Sequence, residues 1–516
     1  MAPVTAVVRE DEQLPVRESC QSKSYSQILR SSALIGGSSA ITAAVGLVRV
    51  KAMALMLGPT GFGLMGAFTT VADLARVLSS FGVGSSGVRQ IAEAAGLQDM
   101  QRVVRTAAVL RRLTLVLGIV GAAILLVFAR PIAVLTFGDD RHTLSISLLS
   151  LAVFFQIVAD GQGAVLQGMR RVGDIARIAV YAALLSAVVS TVVIYCWREQ
   201  GVAAAIVVIA ATSLVFSWRY SRKVVAERAA LETATALAET SALLRVGLAF
   251  MLSAVLTMAA AYAVRLILIR QHGLEAAGLY QAASTVGGMY IVFVLQAMST
   301  DFYPRLVAAA SDNRLCNRLV NEQAQVSLLL AGAGVIGTLT LAPWLMTVMY
   351  SGEFQKAAEL LRWLCLGMAL RVITWPMGYI LVAKGKQALF VCADLLWTLV
   401  NVISTWWCVE RFGLVGAGIA FFGSYVFHFF IVYPVCRRLS DFRWSPVNLK
   451  LGVAYATAIS IVHCSFYVLE TRVAVAVGLV TLAAVAAMSY RALRRLVGSE
   501  LLPRKLTQLI SPKAQQ

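Results

Sequence analysis

Fourteen apolar stretches, each about as long as a membrane-crossing helix, constrain this chain more than any other feature. A helix crosses the bilayer core with about 20 predominantly apolar residues. The stretches cover residues 31–57, 63–88, 113–129, 143–167, 176–197, 201–218, 246–269, 276–300, 325–349, 357–383, 387–409, 413–435, 449–469 and 473–490. The chain is 59% hydrophobic and 14% charged, whereas soluble domains average roughly 45–50% and about 25%. The sequence therefore predicts an all-α integral membrane protein with about 14 transmembrane helices.

The 45 Lys and Arg residues are distributed unevenly among the predicted loops. With the N-terminus placed in the cytoplasm, 32 of them fall in cytoplasmic segments, 7 in outer loops and 6 inside predicted helices. Because cytoplasmic loops of membrane proteins carry an excess of Lys and Arg, this split supports the predicted spans and puts both termini in the cytoplasm. The net charge of +19 is then mainly a matter of topology, and no nucleic-acid partner is predicted.

A weak internal repeat relates the two halves of the chain by one constant offset, which takes position 63 to position 278. The segment GLMGAFTTV (63–71) aligns with GLYQAASTV (278–286), and LQGMRR (166–171) aligns at the same offset with LVAKGK (381–386). The repeat predicts two pseudo-repeated six-helix lobes in parallel topology, an arrangement that is common in transporters.

The predicted organisation has six parts, of which the first is assigned from its polar, mixed-charge composition. They are a disordered cytoplasmic tail (1–30), an N-terminal lobe (31–218), a cytoplasmic linker with an amphipathic helix (219–245), a C-terminal lobe (246–435), two further spans (436–490) and a basic cytoplasmic tail (491–516).

Three segments carry a resemblance to a known family. LGPTGFGLMGAF follows the first span, FYPRLV (302–307) follows the eighth, and FQKAAELLRWLCLGMALRVITWPMGYILVAKGK covers 354–386. Together they resemble the Wzx-type flippases of polysaccharide units such as O-antigen and lipid III, which belong to the multidrug/oligosaccharidyl-lipid/polysaccharide (MOP) exporter superfamily. The resemblance covers about residues 30–435.

The resemblance implies two lobes around a central cavity, alternating access, and a location in the bacterial inner membrane. It implies that an undecaprenyl-diphosphate-linked oligosaccharide moves from the inner to the outer leaflet, for O-antigen, common-antigen or exopolysaccharide assembly. Membrane lipids, a polysaccharide polymerase and chain-length proteins are the other partners it suggests, for a monomer that needs no cofactor or metal. The two extra spans depart from the shorter family members, and a peptidoglycan lipid-precursor flippase stays open as an alternative.

Six basic residues lie inside predicted helices, where translocon scales put the cost of Arg or Lys at about 2.5–3.5 kcal/mol. They are Arg49, Lys51, Arg76, Arg265, Arg362 and Arg371. A diphosphate that crosses the membrane needs its charge offset at every depth, and the guanidinium group binds phosphate oxygens bidentately. All but Arg362, which is interpreted as reaching towards the outer surface, are therefore candidates to bind the diphosphate or line the cavity.

The two cations of the first span lie on different faces. Arg49 shares a face with Thr42, which favours a cavity position, whereas Lys51 is about 200° further round the helix. The face of Lys51 carries small residues such as Ala44, which suit close helix packing. Arg265 lies within one position of Arg49 at the repeat offset. The central hypothesis is a pair of cations, one per lobe, on a shared path.

Acidic and amide residues form a second set of candidates. Predicted to line the cavity or to couple an ion are Asp73, Asp160, Gln156, Asp394, Asn401 and Asp301. Asp73 precedes Arg76 by three residues, so a local ion pair and a substrate role both stay open. Coupling to H⁺, Na⁺ or the membrane potential also stays open. The Trp-rich segment 397–407 is interpreted as an interfacial belt rather than a sugar-stacking platform.

Other functions are less well supported by the sequence. A cation-coupled multidrug exporter of the same superfamily is the main alternative, but its cationic drugs need an acidic cavity, and basic residues outnumber acidic ones in the predicted spans. An enzyme of the same pathway needs substantial outer loops, and every predicted outer loop is shorter than about 20 residues. We therefore expect a transporter and not an enzyme.

Overall fold

The computed structural model describes residues 14–224, 233–297 and 302–497, and the regular structure within these ranges is helical. The first seven helices are α1 (Leu14–Ser80), α2 (Val83–Gly96), α3 (Met100–Val127), α4 (Ala129–Phe137), α5 (Thr143–Gly168), α6 (Val172–Trp197) and α7 (Val202–Val224). The others are α8 (Thr233–Ala297), α9 (Tyr303–Ala308), α10 (Asn313–Thr340), α11 (Ala342–Met349), α12 (Ala358–Ala383), α13 (Gln387–Phe412), α14 (Leu414–Ser440), α15 (Pro446–Val468) and α16 (Thr471–Val497).

Eleven helical segments in the described ranges are long and apolar enough to cross a membrane. Three of them, Gly37–Ser80, Val172–Lys223 and Ala254–Met289, have 44, 52 and 36 residues, and each covers all or part of two predicted spans. The remaining segments each correspond to one predicted span. The all-helical, multi-pass membrane fold is therefore confirmed, and the count of fourteen spans is consistent with it.

Two of the longest helices are kinked at a glycine with positive φ. In α1 the kink is at Gly58 (φ 63°, ψ −174°), and in α8 it is at Gly273 (φ 80°, ψ −177°). Glycine reaches such dihedrals without the steric cost that a Cβ imposes, and Pro59 removes one helical hydrogen bond next to the first kink. The separation of the two kinks along the chain equals the offset of the repeat found in the sequence.

The same offset recurs in helix boundaries and turns. Displaced by it, the first and last residues of α5 become those of α12, and the first and last residues of α6 become those of α13. In the turns between them, Arg170 and Gly385 both have positive φ (53° and 70°). Arg198 and Gly413, which follow α6 and α13, have φ values of 50° and 61°. The repeat is therefore present in the backbone itself.

The start of α1 corrects one prediction. The helix begins at Leu14, so the disorder predicted for residues 1–30 is wrong for residues 14–30. Glu, Gln, Arg and Lys give the segment the polar, mixed-charge composition that suggested disorder, but they also have high helix propensity. Residues 1–13 lie outside the described residues.

Two other polar segments are described only in part. The predicted linker is helical up to Val224 and again from Thr233, and residues 225–232 lie outside the described residues. At the C-terminus, α16 runs to Val497, which is inside the predicted basic tail, and residues 498–516 are outside the described part.

The span predicted over 325–349 is broken. The helix α10 ends at Thr340 and α11 starts at Ala342, with Pro343 in its first turn. Proline has no backbone N–H and is well tolerated at the first positions of a helix, so it favours a new start at this point.

The chain divides into two compact units. Unit 1 comprises Met1–Ala52, Ala72–Ala133 and Asp140–Leu252, and unit 2 comprises Met53–Val71, Val134–Asp139 and Ser253–Gln516. The units differ from the predicted lobes, because the segment around the kink of α1 packs with unit 2.

The packing inside each unit also shows the repeat. In unit 1, α5 packs against α3 and α7, and α6 packs against α7. In unit 2, α12 packs against α10 and α14, and α13 packs against α14. The two C-terminal helices, α15 and α16, pack against α10 and against each other. In each unit, side chains from neighbouring helices therefore contact one another.

Candidate functional site

Arg49 is half-buried on α1 in unit 1 and has little to neutralise it. Its Nη1 donates to the Oγ of Ser186 on α6 at 3.5 Å. Its Nε is buried and makes no hydrogen bond within the described residues. A cation inside a membrane is normally paired with an opposite charge or with carbonyl groups. Arg49 therefore has hydrogen-bonding capacity to spare for an anion.

Lys51 lies on a different face of α1 from Arg49, as predicted, and the described residues of that face are exposed. Lys51 is exposed, and Ala40 and Ala44 on the same face are exposed as well. No heavy atom lies within 4 Å of where a Cβ on Gly37 would be. These positions are exposed in the described part of the chain, so a helix-packing role for this face stays a prediction.

Arg76 forms the centre of an ion-pair cluster in unit 1. Its Nη1 donates to Oδ2 of Asp160 on α5 at 2.8 Å, and its Nη2 lies 3.5 Å from Oδ1 of Asp73. Gln156 adds a side-chain hydrogen bond to Asp160. The structure brings these four predicted residues together, and two carboxylates on one guanidinium leave Arg76 with little capacity for a diphosphate.

Arg265 begins a line of polar side chains along α8 in unit 2. Its Nη2 donates to Oε1 of Gln281, whose Nε2 lies 3.3 Å from Oγ1 of Thr285. The Nε of Arg265 is buried and makes no hydrogen bond within the described residues. Because Arg49 lies in unit 1 and Arg265 in unit 2, the cationic pair stays a prediction.

Arg371 on α12 interacts electrostatically with Asp394 on α13 in unit 2. The guanidinium carbon lies 5.5 Å from the ring centroid of Trp375 on the same helix, which is a cation–π distance. Both side chains also act electrostatically on Tyr425 of α14. Arg371 therefore lies near an aromatic ring and interacts at a distance with a carboxylate.

The remaining candidates divide by position. Asn401 is buried on α13, one helical turn after Trp397. Asp301 lies outside the described residues. Within the described residues, no group of three His, Cys, Asp or Glu side chains is arranged to hold a metal ion.

Sequence reasoning did not select Tyr425 and His428, which pack against Trp397. Both are on α14, in a stretch that reads as a uniformly apolar and aromatic span. His428 could have been selected from the sequence, because an ionisable residue inside a membrane span is costly and often functional.

Arg362 lies near the start of α12, as expected for a residue at the end of a span. Its guanidinium carbon is 3.6 Å from the ring centroid of Phe466, and its Nε lies 3.4 Å from the carbonyl oxygen of Leu339. This arrangement anchors α15 to α12 and α10.

The fold defines a class of structures, because it is shared with solved transporters of the MOP superfamily. The structure is similar to an inward-facing multidrug resistance MATE family transporter of that superfamily (TM-score 0.66, 16% identity, 77% of this chain and 95% of that one). It is also similar to the lipid II flippase MurJ in an inward closed conformation (TM-score 0.64, 12% identity, 89% of this chain and 99% of that one).

Residues 28–309 match the model of the family described as polysaccharide biosynthesis protein. The chain belongs to this family. It is 21% identical to the lipid III flippase of Escherichia coli (strain K12) over 424 residues, which are 80% of this chain and 99% of that protein. The resemblance to MOP-superfamily flippases seen in the sequence is confirmed, and the relatives are flippases and transporters, not enzymes.

Proposed function

We propose that the chain is a flippase that moves an undecaprenyl-diphosphate-linked oligosaccharide from the inner to the outer leaflet of the bacterial inner membrane by alternating access. The oligosaccharide is a building unit of O-antigen, common antigen or exopolysaccharide. Family membership and the similarity to a lipid III flippase support a lipid-linked substrate. The chemistry of Arg49 supports a diphosphate as the group that is recognised.

The contrast between Arg49 and Arg76 carries this proposal. Both are on α1 in unit 1 and both are partly buried. Arg76 is neutralised by two carboxylates within 4 Å, whereas the hydrogen-bond partner of Arg49 is a neutral hydroxyl. Retaining a cation without a counter-charge in the membrane costs a few kcal/mol, which an arriving diphosphate offsets.

The direction of transport follows from the charge of the cargo. An inside-negative potential moves anions outward and is worth about 2.3 kcal/mol per charge per 100 mV. A diphosphate with about two charges gains roughly 4–5 kcal/mol on crossing. Coupling to H⁺ or Na⁺ through Asp160 or Asp394 adds to this drive, and is part of the proposal.

Substitution at Arg49 tests the proposal in a strain that lacks the chain and is complemented with variants. We expect Arg49→Ala to abolish surface polysaccharide and to accumulate the lipid-linked oligosaccharide, and Arg49→Lys to restore transport partly, because Lys keeps the charge but not the planar fork. The control is Arg112→Ala, which removes an exposed arginine from α3.

Two outcomes argue against the proposal. Normal surface polysaccharide with Arg49→Ala refutes the role of this residue. If the complemented strain exports cationic drugs and its lipid-linked oligosaccharides are unaffected by loss of the chain, the multidrug exporter is the correct function.

A further inference from the structure

Four buried polar atoms in the middle of unit 2 make no hydrogen bond within the described residues. They are Nε of Arg371, Nε1 of Trp397, Oδ1 of Asn401 and Nδ1 of His428. They come from α12, α13 and α14, which pack against one another. Buried polar atoms are nearly always paired in folded proteins, so several unpaired atoms on adjoining helices need an explanation.

Aromatic contacts join two of these side chains, Trp397 and His428, to Tyr425. The ring of Tyr425 lies 5.2 Å from Trp397 and 6.1 Å from His428, measured between centroids, and Trp397 lies 6.3 Å from His428. Asn401 is one turn from Trp397 on the same face of α13 and is only 6% exposed. We call these four residues, Trp397, Asn401, Tyr425 and His428, the aromatic cluster.

The position of Trp397 separates it from the other tryptophans of α13. Trp406 and Trp407 are 56% and 47% exposed, as expected for side chains at a membrane interface. Trp397 lies about four helical turns from the end of the helix at Phe412 and has its Nε1 buried. The interfacial belt predicted for the whole Trp-rich segment is therefore restricted to its second half.

The unpaired atoms combine donors with acceptors. Trp397 Nε1 and Arg371 Nε can only donate, Asn401 Oδ1 accepts, and His428 Nδ1 does either according to its tautomer. A diphosphate offers acceptors alone and does not use the Asn401 oxygen. A sugar ring offers hydroxyl groups that donate and accept, together with C–H faces that pack on aromatic rings.

We infer that the aromatic cluster, with Arg371 and Asp394 beside it, is the subsite that binds the glycan of the lipid-linked substrate. This inference rests on the proposed function and adds the part of the substrate that the basic residues leave unassigned. The unpaired atoms of Arg371, Trp397, Asn401 and His428 are buried from solvent in this conformation. The glycan therefore enters when α13 and α14 separate.

Binding of two probes to purified protein in nanodiscs tests the subsite. One probe is the pool of lipid-linked oligosaccharides extracted from cells that lack the chain, and the other is undecaprenyl diphosphate, which has no glycan. Trp397→Phe keeps an aromatic ring and removes the donor, and Asn401→Leu removes the acceptor while keeping a side chain that branches at Cγ. Trp406→Phe is the matched control on the exposed side of α13.

We expect Trp397→Phe and Asn401→Leu to weaken binding of the oligosaccharide pool by roughly three- to tenfold, the loss of one hydrogen bond. Binding of undecaprenyl diphosphate stays unchanged in both. The melting temperature of the unliganded Asn401→Leu protein stays the same or rises, because an unpaired buried oxygen is removed. A merely structural role for Asn401 predicts a fall instead.

The outcomes separate the subsite from the proposed function. If both variants bind the pool as well as Trp406→Phe does, the subsite is refuted and the flippase proposal stands. If wild-type protein binds neither probe, the proposed function fails and the subsite fails with it. Equal weakening of both probes contradicts a glycan-specific site.

Discussion

Two glycines at equivalent positions of the repeat bring α1 and α8 into backbone contact within unit 2. A Cβ on Gly63 would overlap the carbonyl oxygen of Leu274 and lie 2.9 Å from the amide nitrogen of Gly278. A Cβ on Gly278 would overlap the carbonyl oxygen of Pro59 and lie 2.8 Å from the nitrogen of Gly63. We predict that Gly63→Ala and Gly278→Ala each force these helices apart.

The magnitude follows from the contact distances. Non-bonded heavy atoms settle at about 3.5–4.0 Å, so the two backbones have to separate by roughly 1 Å or more to admit one methyl group. Overpacking of this kind typically costs about 1–3 kcal/mol. Because both substitutions act on one crossing, the double variant costs less than the sum of the two single variants.

Thermal unfolding in detergent and the complementation assay measure the effect. The matched control is Gly288→Ala on the same helix, where the nearest atom to the added Cβ is 4.0 Å away. This control gains helix propensity and should unfold at the wild-type temperature or higher. If Gly63→Ala and Gly278→Ala match Gly288→Ala in both stability and transport, the inferred close contact between the helices is wrong.

Two further predictions concern polar contacts inside the units. Asp160→Asn leaves Arg76 with the longer contact to Asp73, and we expect a loss of about 1–3 kcal/mol in the free energy of unfolding, measured by denaturation in detergent. Tyr455→Phe removes the partner of the Ser489 hydroxyl, 2.6 Å away and buried, and should lower stability by about 1 kcal/mol and speed proteolysis between α15 and α16.

Exposed counterparts provide the controls for these two variants. Asp140→Asn breaks an exposed ion pair with Arg130, and such pairs contribute about 0–1 kcal/mol. Tyr195→Phe changes a tyrosine that is 68% exposed. Equal effects in variant and control would contradict the importance assigned to burial.

Long apolar runs and two short aligned segments were sufficient to predict the all-helical membrane fold and the repeat. The kinks at Gly58 and Gly273 are at a residue type that interrupts helices, and the turn at Gly385 lies inside the short basic segment that aligned at the repeat offset. Contacts between residues far apart in the sequence could not be predicted in this way. Asp73 was visible as a neighbour of Arg76, but the shorter contact is to Asp160, 84 residues away along the chain.

The aromatic residues show the same limit. The Trp-rich segment reads as one belt, because a window of sequence does not reveal which tryptophan faces another helix. Only the packing of α13 against α14 separates Trp397 from Trp406. Likewise, the face of α1 that carries Lys51 has the small residues of a packing surface, yet Ala40 and Ala44 on that face are exposed.

The turns at Arg170 and Arg198 have a consequence for the history of the chain. Their counterparts in the second half of the repeat, Gly385 and Gly413, are glycines with the same sign of φ. A positive φ costs about 1 kcal/mol or more for a residue with a Cβ, so Arg170→Gly and Arg198→Gly should relieve backbone strain, whereas Gly413→Arg should introduce it. If the two halves arose by gene duplication, their common origin is more evident in the backbone torsion angles of these turns than in the residue types at the same positions.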